Sequence, residues 1–259
     1  MHPILLKIGS ITLYTYGLFV ALGFMTAIWF ASRRASARGA AIQHEEITDL
    51  SLVILLASLV GARLFYVIQN FSLFSDHPLD MFKIWKGGLV FYGGFILALV
   101  AAMVYVKHKH FDLWPTADLL APAIALGHAV GRLGCLFAGC CYGKTCDLPW
   151  AITFTDPDSL APLGIPLHPT QLYAVFSNLI IFGLLLAMDK KSAFTGRLFW
   201  LYILFYGIFR SLIESFRGDE RGEFILHVIS PSQTIGGIMA LVAVGMLLWL
   251  SRRQLKSGR

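Results

Sequence analysis

The chain has 259 residues, of which 57% are hydrophobic and only 14% are charged. Because a water-soluble domain carries about a quarter charged residues, this composition excludes an ordinary soluble fold and favours a polytopic membrane protein. The net charge of +6 would suit a nucleic-acid-binding protein. The basic residues flank apolar segments instead. This placement argues against nucleic-acid binding and indicates that they set the orientation of the chain in the membrane.

Seven apolar segments approach the ~20 residues that a helix needs to cross a bilayer. The sequence therefore predicts an all-α integral membrane protein with seven transmembrane helices. They lie near residues 11–31, 47–68, 88–106, 116–137, 171–188, 197–216 and 231–250. No long repeat or linker interrupts the chain, so residues 1–259 are predicted to form a single polytopic domain with a proline-rich extracytoplasmic loop at about 138–170.

The Lys and Arg residues predict the orientation of the chain. Most of them lie in four segments that would share one side of the membrane, namely Arg33, Arg34 and Arg38; Lys107 and Lys109; Lys190, Lys191 and Arg197; and Arg252, Arg253, Lys256 and Arg259. By the positive-inside rule that side is cytoplasmic. The N-terminus is therefore predicted to be extracytoplasmic and the C-terminus cytoplasmic.

Three further arginines fall inside predicted spans. Arg63, Arg132 and Arg210 lie in spans two, four and six, and each is nearer the C-terminal end of its helix. Since these spans run in the same direction, the three side chains are predicted to lie at similar depth in the outer half of the membrane. A charge at the bilayer centre costs about 2.5–3.5 kcal/mol or more, and such residues usually mark a functional site.

The surroundings of two of these arginines predict a polar pocket. In YGIFRSLIESFR, spacings of four, four and three place Tyr206, Arg210, Glu214 and Arg217 on one helical face. A structural Arg210–Glu214 pair is the alternative interpretation. Arg132 shares a face with His128, for which by itself a helix-packing role is the favoured interpretation.

The segment after Arg132, GRLGCLFAGCCYG, adds Gly134, Gly139 and Gly143. Glycines let the backbone leave the helix and approach a ligand closely. A guanidinium binds phosphate through two hydrogen bonds and keeps its charge. The segment therefore predicts a pocket for an anionic group.

The same segment carries three of the four cysteines, in the pattern C-x4-CC-x4-C. One or two structural disulfides are favoured on the oxidising face of the membrane. Inert thiols, a catalytic or carrier thiol near Arg132, and a metal site remain open, although the spacing is not the one that zinc usually prefers. The cysteines are Cys135, Cys140, Cys141 and Cys146.

Six short motifs together resemble the bacterial prolipoprotein diacylglyceryl transferase family along essentially the whole chain. They are TYG at Thr15–Gly17, GARLFY at Gly61–Tyr66, WKGG at Trp85–Gly88, GRLG at Gly131–Gly134, HPTQLY at His168–Tyr173 and YGIFRSLIESFR at Tyr206–Arg217. The resemblance implies a seven-helix enzyme that moves diacylglyceryl from phosphatidylglycerol to the lipobox cysteine thiol of an exported prolipoprotein, with glycerol phosphate as leaving group. It implies no metal, nucleotide or redox cofactor.

The resemblance also suggests roles for individual residues. Arg132 and Arg210 are candidates for a phosphate clamp, and Glu214 would orient Arg210. Tyr16, Gly134, Gln171 and Tyr206 are assigned to the substrate-binding pocket. Arg63 is placed in the same set, although a structural role is favoured for it.

The chain departs from the family pattern in two places. Where the signature has two Asn and a Glu, this sequence has Cys135, Ala138 and Cys140. Where the family has a histidine in span three, this sequence has Tyr92. Because free tyrosine has a pKa near 10, His168 is the alternative candidate for the base that deprotonates the thiol.

These interpretations predict a multi-pass enzyme of the bacterial inner membrane whose site faces the outer leaflet. Its partners would be membrane lipid, phosphatidylglycerol and prolipoprotein signal peptides, and not nucleic acid. The alternatives are a divergent member acting on another lipid or acceptor, a lipid transporter, and a membrane thiol oxidoreductase. Transporters tend to show repeats and midplane sites, and neither occurs in the sequence; the cysteines also lack a C-x-x-C pair.

Overall fold

The computed structural model describes residues 1–9, 11–74, 78–83, 87–189, 194–219 and 230–257. Within these ranges the chain forms seven α-helices: α1 Thr15–Arg38, α2 His44–Gln69, α3 Phe91–His108, α4 Leu113–Ala138, α5 Thr170–Asp189, α6 Arg197–Glu214 and α7 Pro231–Ser257. Each predicted helix is present, and the bounds differ from the predicted ones by a few residues at most ends. The predicted basic residues Lys190, Lys191 and Arg259 and the motif residues Trp85 and Lys86 lie outside the described residues.

Six of the helices are long and apolar enough to cross a membrane, which makes this a multi-pass membrane protein. They are α1, α2, α3, α4, α5 and α7. The exception, α6, has 18 residues and carries Arg197, Arg210 and Glu214. The helix predicted for the sixth span is therefore confirmed, while its crossing of the membrane stays a prediction.

Short strands accompany the helices. Residues Ile4–Ile8 (β1) and Ile11–Tyr14 (β2) form an antiparallel pair, so the first helix begins at Thr15 and not near residue 11 as predicted. The β-branched residues Ile11 and Thr12 and the aromatic Tyr14 favour a strand over a helical turn. In the long loop, Ile152–Thr153 (β3) pairs with Pro166–Leu167 (β4).

The helices form two compact units, which contain residues 32–116 and residues 1–31 with 117–259. In the smaller unit α2 packs on α3 at a glycine contact. A Cβ on Gly61 would lie 2.4 Å from the carbonyl oxygen of Gly93, so only glycine permits this approach. Close packing through small residues is typical of helices in membranes, where no hydrophobic force drives them together.

The larger unit has an apolar core built from α4, α5 and α6. Its most buried members are Ala121, Ala125, Ile181, Leu185 and Leu198. Buried Asp118 of α4 accepts hydrogen bonds from the backbone N–H groups of Gly196 and Phe199, at 2.7 and 2.9 Å. These bonds satisfy two N–H groups that the start of α6 would otherwise leave without partners, and they fix α6 against α4 on the face that carries the candidate site.

Candidate active site

The larger unit contains a cavity between α4, α5 and α6. It is lined by Arg132, Thr170, Ala174, Ser177, Asn178, Tyr206, Phe209, Arg210, Ile213 and Arg217. Three of these ten residues are arginines, so the cavity is cationic, as a site for an anionic head group would be.

Of the three cavity arginines, Arg132 is the one whose charge is least compensated by protein groups. Its Nε donates a hydrogen bond to Nε2 of His128 over 3.2 Å. This is the one hydrogen bond that its guanidinium makes within the described part of the chain. The His128 ring lies against Tyr206, with ring centroids 5.4 Å apart. The terminal nitrogens of Arg132 are therefore available to a ligand in the cavity.

Arg210 is held in place by charged and polar partners. Its Nη1 forms an ion pair with Glu214 one helical turn away, and its Nη2 donates to the Ser232 hydroxyl at 3.0 Å. The other carboxylate oxygen of Glu214 accepts a hydrogen bond from the Ser230 hydroxyl at 3.2 Å. Glu214 thus connects the end of α6 to the start of α7 and fixes the direction in which Arg210 projects.

Arg217, just beyond α6, is the third cation of the cavity. It forms two hydrogen bonds with Asp219, at 2.8 and 2.7 Å, and its Nε lies 3.8 Å from Glu214. Burial alone would disfavour the charge, but the hydrogen bonds to Asp219 and Cys141 raise the pKa of Arg217 above its ordinary value. The cavity therefore keeps this positive charge at every physiological pH.

Two buried side chains of α5 hold the cysteine loop. Thr170 donates its hydroxyl to the carbonyl oxygen of Cys141 at 2.6 Å, and Gln171 donates Nε2 to the carbonyl oxygen of Cys140 at 2.9 Å. Gln171 was predicted to line the head-group pocket. It is 1% exposed and is not one of the residues that line this cavity.

All four cysteines lie in the described part of the chain, and each carries a thiol, so no disulfide braces the loop in this structure. The sulfur atoms of Cys135, Cys140 and Cys141 lie within 4.8 Å of one another. Hydrogen bonds from the thiols of Cys135 and Cys140, together with the nearby Arg217 guanidinium, lower the pKa of Cys141. The group of three therefore holds one thiolate more readily than isolated cysteines do.

Gly134 brings α4 close to α1. A Cβ at this position would lie 3.0 Å from Cβ of Phe19 and 3.1 Å from the carbonyl oxygen of Tyr16. Gly131, one turn earlier, has nothing within 4 Å of the same position. A side chain at Gly134 would thus require Phe19 or the Tyr16 backbone to shift by a few tenths of an ångström, whereas a side chain at Gly131 would require no shift.

His168, the predicted alternative base, lies in an aromatic group outside the lining of the cavity. Its Nδ1 is 3.1 Å from the Tyr173 hydroxyl, and its ring centroid is 5.3 Å from that of Phe216. Trp150 donates its indole N–H to the same Tyr173 hydroxyl at 2.9 Å. The backbone N–H of Gly143 donates to the His168 carbonyl, which ties this residue to the cysteine loop.

Two predicted site residues belong to the smaller unit. Arg63 is 8% exposed and donates to the carbonyl oxygens of Asp80, Met81, Gly87 and Gly88 at 2.6 to 3.2 Å. It also lies over the rings of Tyr66 and Phe74. This arrangement agrees with the structural role favoured for Arg63. Tyr92, near the start of α3, is 54% exposed and contacts Phe91.

The sequence interpretation missed Ser177 and Asn178, two polar residues of the cavity. Asn178 donates Nδ2 to the Ala174 carbonyl at 2.7 Å, while its buried Oδ1 accepts no hydrogen bond within the described residues. The sequence offered a sign of this, because adjacent Ser and Asn interrupt an otherwise apolar helix. Polar side chains inside a membrane helix are rare enough to indicate a site or a helix contact.

A family model described as prolipoprotein diacylglyceryl transferase matches residues 3–249. The chain belongs to the prolipoprotein diacylglyceryl transferase family. It is similar to proteins named phosphatidylglycerol–prolipoprotein diacylglyceryl transferase from several bacteria. The protein from Clostridium tetani is 34% identical, over 94% of this chain and 96% of the relative. Those from Geobacter sulfurreducens and Vibrio campbellii are 33% and 35% identical, over 98% of this chain and 97% and 93% of the relatives.

Four of the six motifs that carried the resemblance to the prolipoprotein diacylglyceryl transferase family lie in the larger unit, whereas GARLFY lies in the smaller one. The GRLG segment supplies Arg132, the YGIFR segment supplies Tyr206 and Arg210, and all three residues line one cavity. HPTQLY supplies Thr170 to the same cavity. Its His168 and Gln171 lie beside the cysteine loop, as described above.

Proposed function

We propose that this chain transfers the diacylglyceryl group of phosphatidylglycerol to the lipobox cysteine thiol of exported prolipoproteins. The observation that carries the proposal is the cavity with Arg132, Arg210 and Arg217 in its lining, in a chain that belongs to the prolipoprotein diacylglyceryl transferase family. Phosphatidylglycerol and prolipoprotein are named as the substrates of the relatives. A lipid phosphate is the anion that such a cavity would bind.

The chemistry explains why cations are needed there. The acceptor thiolate attacks a glyceryl carbon, the bond from that carbon to the phosphate oxygen breaks, and glycerol phosphate leaves with the electron pair. Negative charge therefore grows on the phosphate in the transition state. Cations fixed in advance at this position stabilise the transition state more than the ground state.

Arg132 and Arg210 are assigned to the two sides of the phosphate. Arg132 contributes terminal nitrogens that protein groups leave available, and Arg210 contributes a guanidinium fixed by Glu214 and Ser232. Glu214 acts through Arg210 and is a positioning residue. Tyr206 lines the same cavity. Tyr16 and Gly134 are assigned to the head-group pocket around it, and Gln171 supports that pocket from behind by holding the Cys140 carbonyl.

In the family pattern, the histidine of span three would deprotonate the acceptor thiol. In this chain Tyr92 occupies the position of that histidine. His168 is assigned as the base, with Tyr92 as the alternative. The Tyr173 hydroxyl lies 3.1 Å from Nδ1 of His168, which would orient the ring and fix which of its nitrogens carries the proton.

The proposed setting is the bacterial inner membrane. The seven helices cross it as one polytopic domain, with the N-terminus extracytoplasmic, the C-terminus cytoplasmic and the site facing the outer leaflet. The asymmetry of Lys and Arg supports this orientation. The partners are phosphatidylglycerol, prolipoprotein signal peptides and membrane lipid, with no nucleic acid.

The test is reconstitution of the chain into vesicles that contain phosphatidylglycerol, followed by addition of a peptide with a lipobox cysteine. Mass spectrometry should detect the peptide with one added diacylglyceryl group. A peptide with Ser in place of that Cys is the control. A change in cysteine redox state alone would instead indicate a thiol oxidoreductase, and lipid movement without any peptide product would indicate a transporter.

A further inference from the structure

The thiols of Cys135, Cys140 and Cys141 are arranged as ligands of one metal ion would be. Their three sulfur atoms lie within 4.8 Å of one another. Sulfur ligands bound to tetrahedral zinc at about 2.3 Å lie about 3.8 Å apart. The three sulfurs therefore need to approach by no more than about 1 Å to bind a zinc ion.

The backbone around these cysteines is fixed by buried groups. Cys135 lies in the last turn of α4, and Cys141 adopts a left-handed backbone conformation with φ +62°. Such a conformation is uncommon in any residue other than glycine and persists where the surroundings impose it. Thr170 and Gln171 impose it here, because their hydrogen bonds hold the carbonyl groups of Cys141 and Cys140.

The thiol cluster adjoins the candidate active site. Thr170 and Arg217 both line the cavity, and both contact Cys141. Zinc with three thiolates carries a net charge of −1, and the Arg217 guanidinium next to Cys141 would compensate that charge.

We propose that Cys135, Cys140 and Cys141 form a three-thiolate zinc site whose fourth ligand is the thiol of the acceptor cysteine. This inference rests on the proposed function for its substrate. Zinc with three protein ligands keeps its fourth position for water or substrate, and a thiol bound to the metal is deprotonated outright. Soft thiolate ligands favour zinc over magnesium, calcium or manganese.

Such a site supplies what Tyr92 lacks, a means of generating the thiolate without an imidazole at that position. The acceptor thiol binds zinc, which makes the thiol more acidic, and its proton passes to the base assigned above, His168. The bound sulfur then attacks the glyceryl carbon, the carbon–oxygen bond to phosphate breaks, and glycerol phosphate departs with the electron pair. The product is a thioether, which is a weaker ligand than a thiolate and leaves the metal. No oxidant or reductant takes part.

The first experiment measures zinc affinity in purified, reduced full-length protein. Chelator-treated protein is titrated with Zn²⁺ in competition with a chromophoric chelator. Wild type and the matched control Cys146→Ser should bind one zinc ion each. Cys135→Ser, Cys140→Ser and Cys141→Ser should each bind at least about 100-fold more weakly, since loss of an outer-shell partner alone typically costs 10–100-fold. Equal affinity in all five proteins, or no binding by wild type, would overturn the site.

The second experiment uses wild type alone, so that it does not depend on the folding of variants. X-ray absorption at the zinc edge should give three sulfurs at about 2.3 Å, and four after addition of a lipobox cysteine peptide. A peptide with Ser in place of Cys should leave the number at three. A sulfur number that stays at three with the Cys peptide would overturn the assignment of the fourth ligand.

Transfer measured on the same samples separates this inference from the proposed function. Chelation should abolish transfer by wild type, and added Zn²⁺ should restore it. Full transfer by zinc-free protein would overturn the metal site and leave the transferase intact. Cysteine-dependent zinc binding without any transfer from phosphatidylglycerol would leave the metal site and overturn the transferase.

Discussion

The Nε of Arg132 donates to Nε2 of His128 over 3.2 Å, within one turn of α4. A ring nitrogen that accepts a hydrogen bond carries no proton. His128 therefore adds no positive charge beside Arg132 in this arrangement, and it holds the guanidinium through Nε. The two terminal nitrogens are left for the ligand.

The clamp predicts the effect of removing either arginine. Arg132→Gln and Arg210→Gln should each lower the transfer rate by about 10²–10³-fold, as removal of one fixed donor does in other transition-state pockets. The measurement is the yield of lipidated peptide in phosphatidylglycerol vesicles, with protein recovery from the membrane measured in parallel. Arg252→Gln, at an exposed position of α7, is the matched control and should transfer normally. Near-normal rates in both cavity variants would eliminate the clamp.

Arg132→Lys distinguishes charge from geometry. Lysine keeps the positive charge but cannot form the two parallel hydrogen bonds of a guanidinium. We expect a rate between those of wild type and Arg132→Gln. A rate equal to that of wild type would mean that the charge alone matters at this position.

Glu214 is predicted to act through Arg210. The Glu214→Gln substitution removes the charge that pairs with Arg210 and leaves the Ser230 contact possible. In soluble proteins, removing one partner of a buried ion pair lowers the free energy of unfolding by about 3–5 kcal/mol. Both the melting temperature and the transfer rate should therefore fall. Glu45→Gln, at an exposed position of α2, should change neither, and an unchanged rate in Glu214→Gln would contradict the positioning role.

The sequence predicted the members of this pocket better than it predicted their partners. Arg132, Tyr206 and Arg210 could be found because a charge or hydroxyl at membrane depth, repeated at helical spacing, is costly unless it serves a site. Asp219 and Ser230 could not, since they reach Arg217 and Glu214 only through the turn after α6 and the cap of α7. The Ser230 contact depends on tertiary structure and the Asp219 contact on the conformation of the turn, and helical periodicity specifies neither.

The same limit explains other differences between prediction and structure. The first predicted span included residues 11–14, which pair with β1 because the chain turns back on itself before Thr15. The clustering of the three thiols depends on the left-handed backbone of Cys141 and on two buried side chains of α5. The predicted depth of Arg63 in the membrane indicated that it could belong to a functional site. Its guanidinium instead donates hydrogen bonds to backbone carbonyl oxygens, which is a structural role.

Gly134 and Gly131 form a matched pair for testing the packing beside Tyr16. Gly134→Val should lower the melting temperature, because even a Cβ would lie 3.0 Å from Phe19 and 3.1 Å from the Tyr16 backbone. Gly131→Ala meets nothing within 4 Å and should be neutral or slightly stabilising, by up to about 1 kcal/mol from helix propensity. Equal melting temperatures for the two variants would contradict the close approach of α4 and α1.

Topology can be tested with reporter fusions. Fusions after Lys190 and Arg253 should report a cytoplasmic position, and fusions after Asp156 and Gly222 an extracytoplasmic one, because Lys and Arg concentrate on the cytoplasmic side. The pair at Lys190 and Gly222 also tests whether α6 crosses the membrane. The opposite pattern would place the cavity in the other leaflet and would be incompatible with exported acceptors.

The identity of the base is tested at two positions. If His168 removes the thiol proton, His168→Ala should lower the transfer rate by about 10²–10⁴-fold, and Tyr92→Phe should have little effect. Tyr92→His should be tolerated. Full transfer by both His168→Ala and Tyr92→Phe would exclude both residues as the base and would favour activation of the thiol by a bound metal ion.

The most direct measurement is the stoichiometry of the reaction. Reconstituted wild-type protein is given phosphatidylglycerol and the lipobox peptide, and both lipidated peptide and free glycerol phosphate are quantified. A diacylglyceryl transferase should release one glycerol phosphate per lipidated peptide. Neither product should form with the Ser peptide, and Arg132→Gln should form both about 10²–10³-fold more slowly. Glycerol phosphate released without lipidated peptide, or no product from either substrate, would contradict the account.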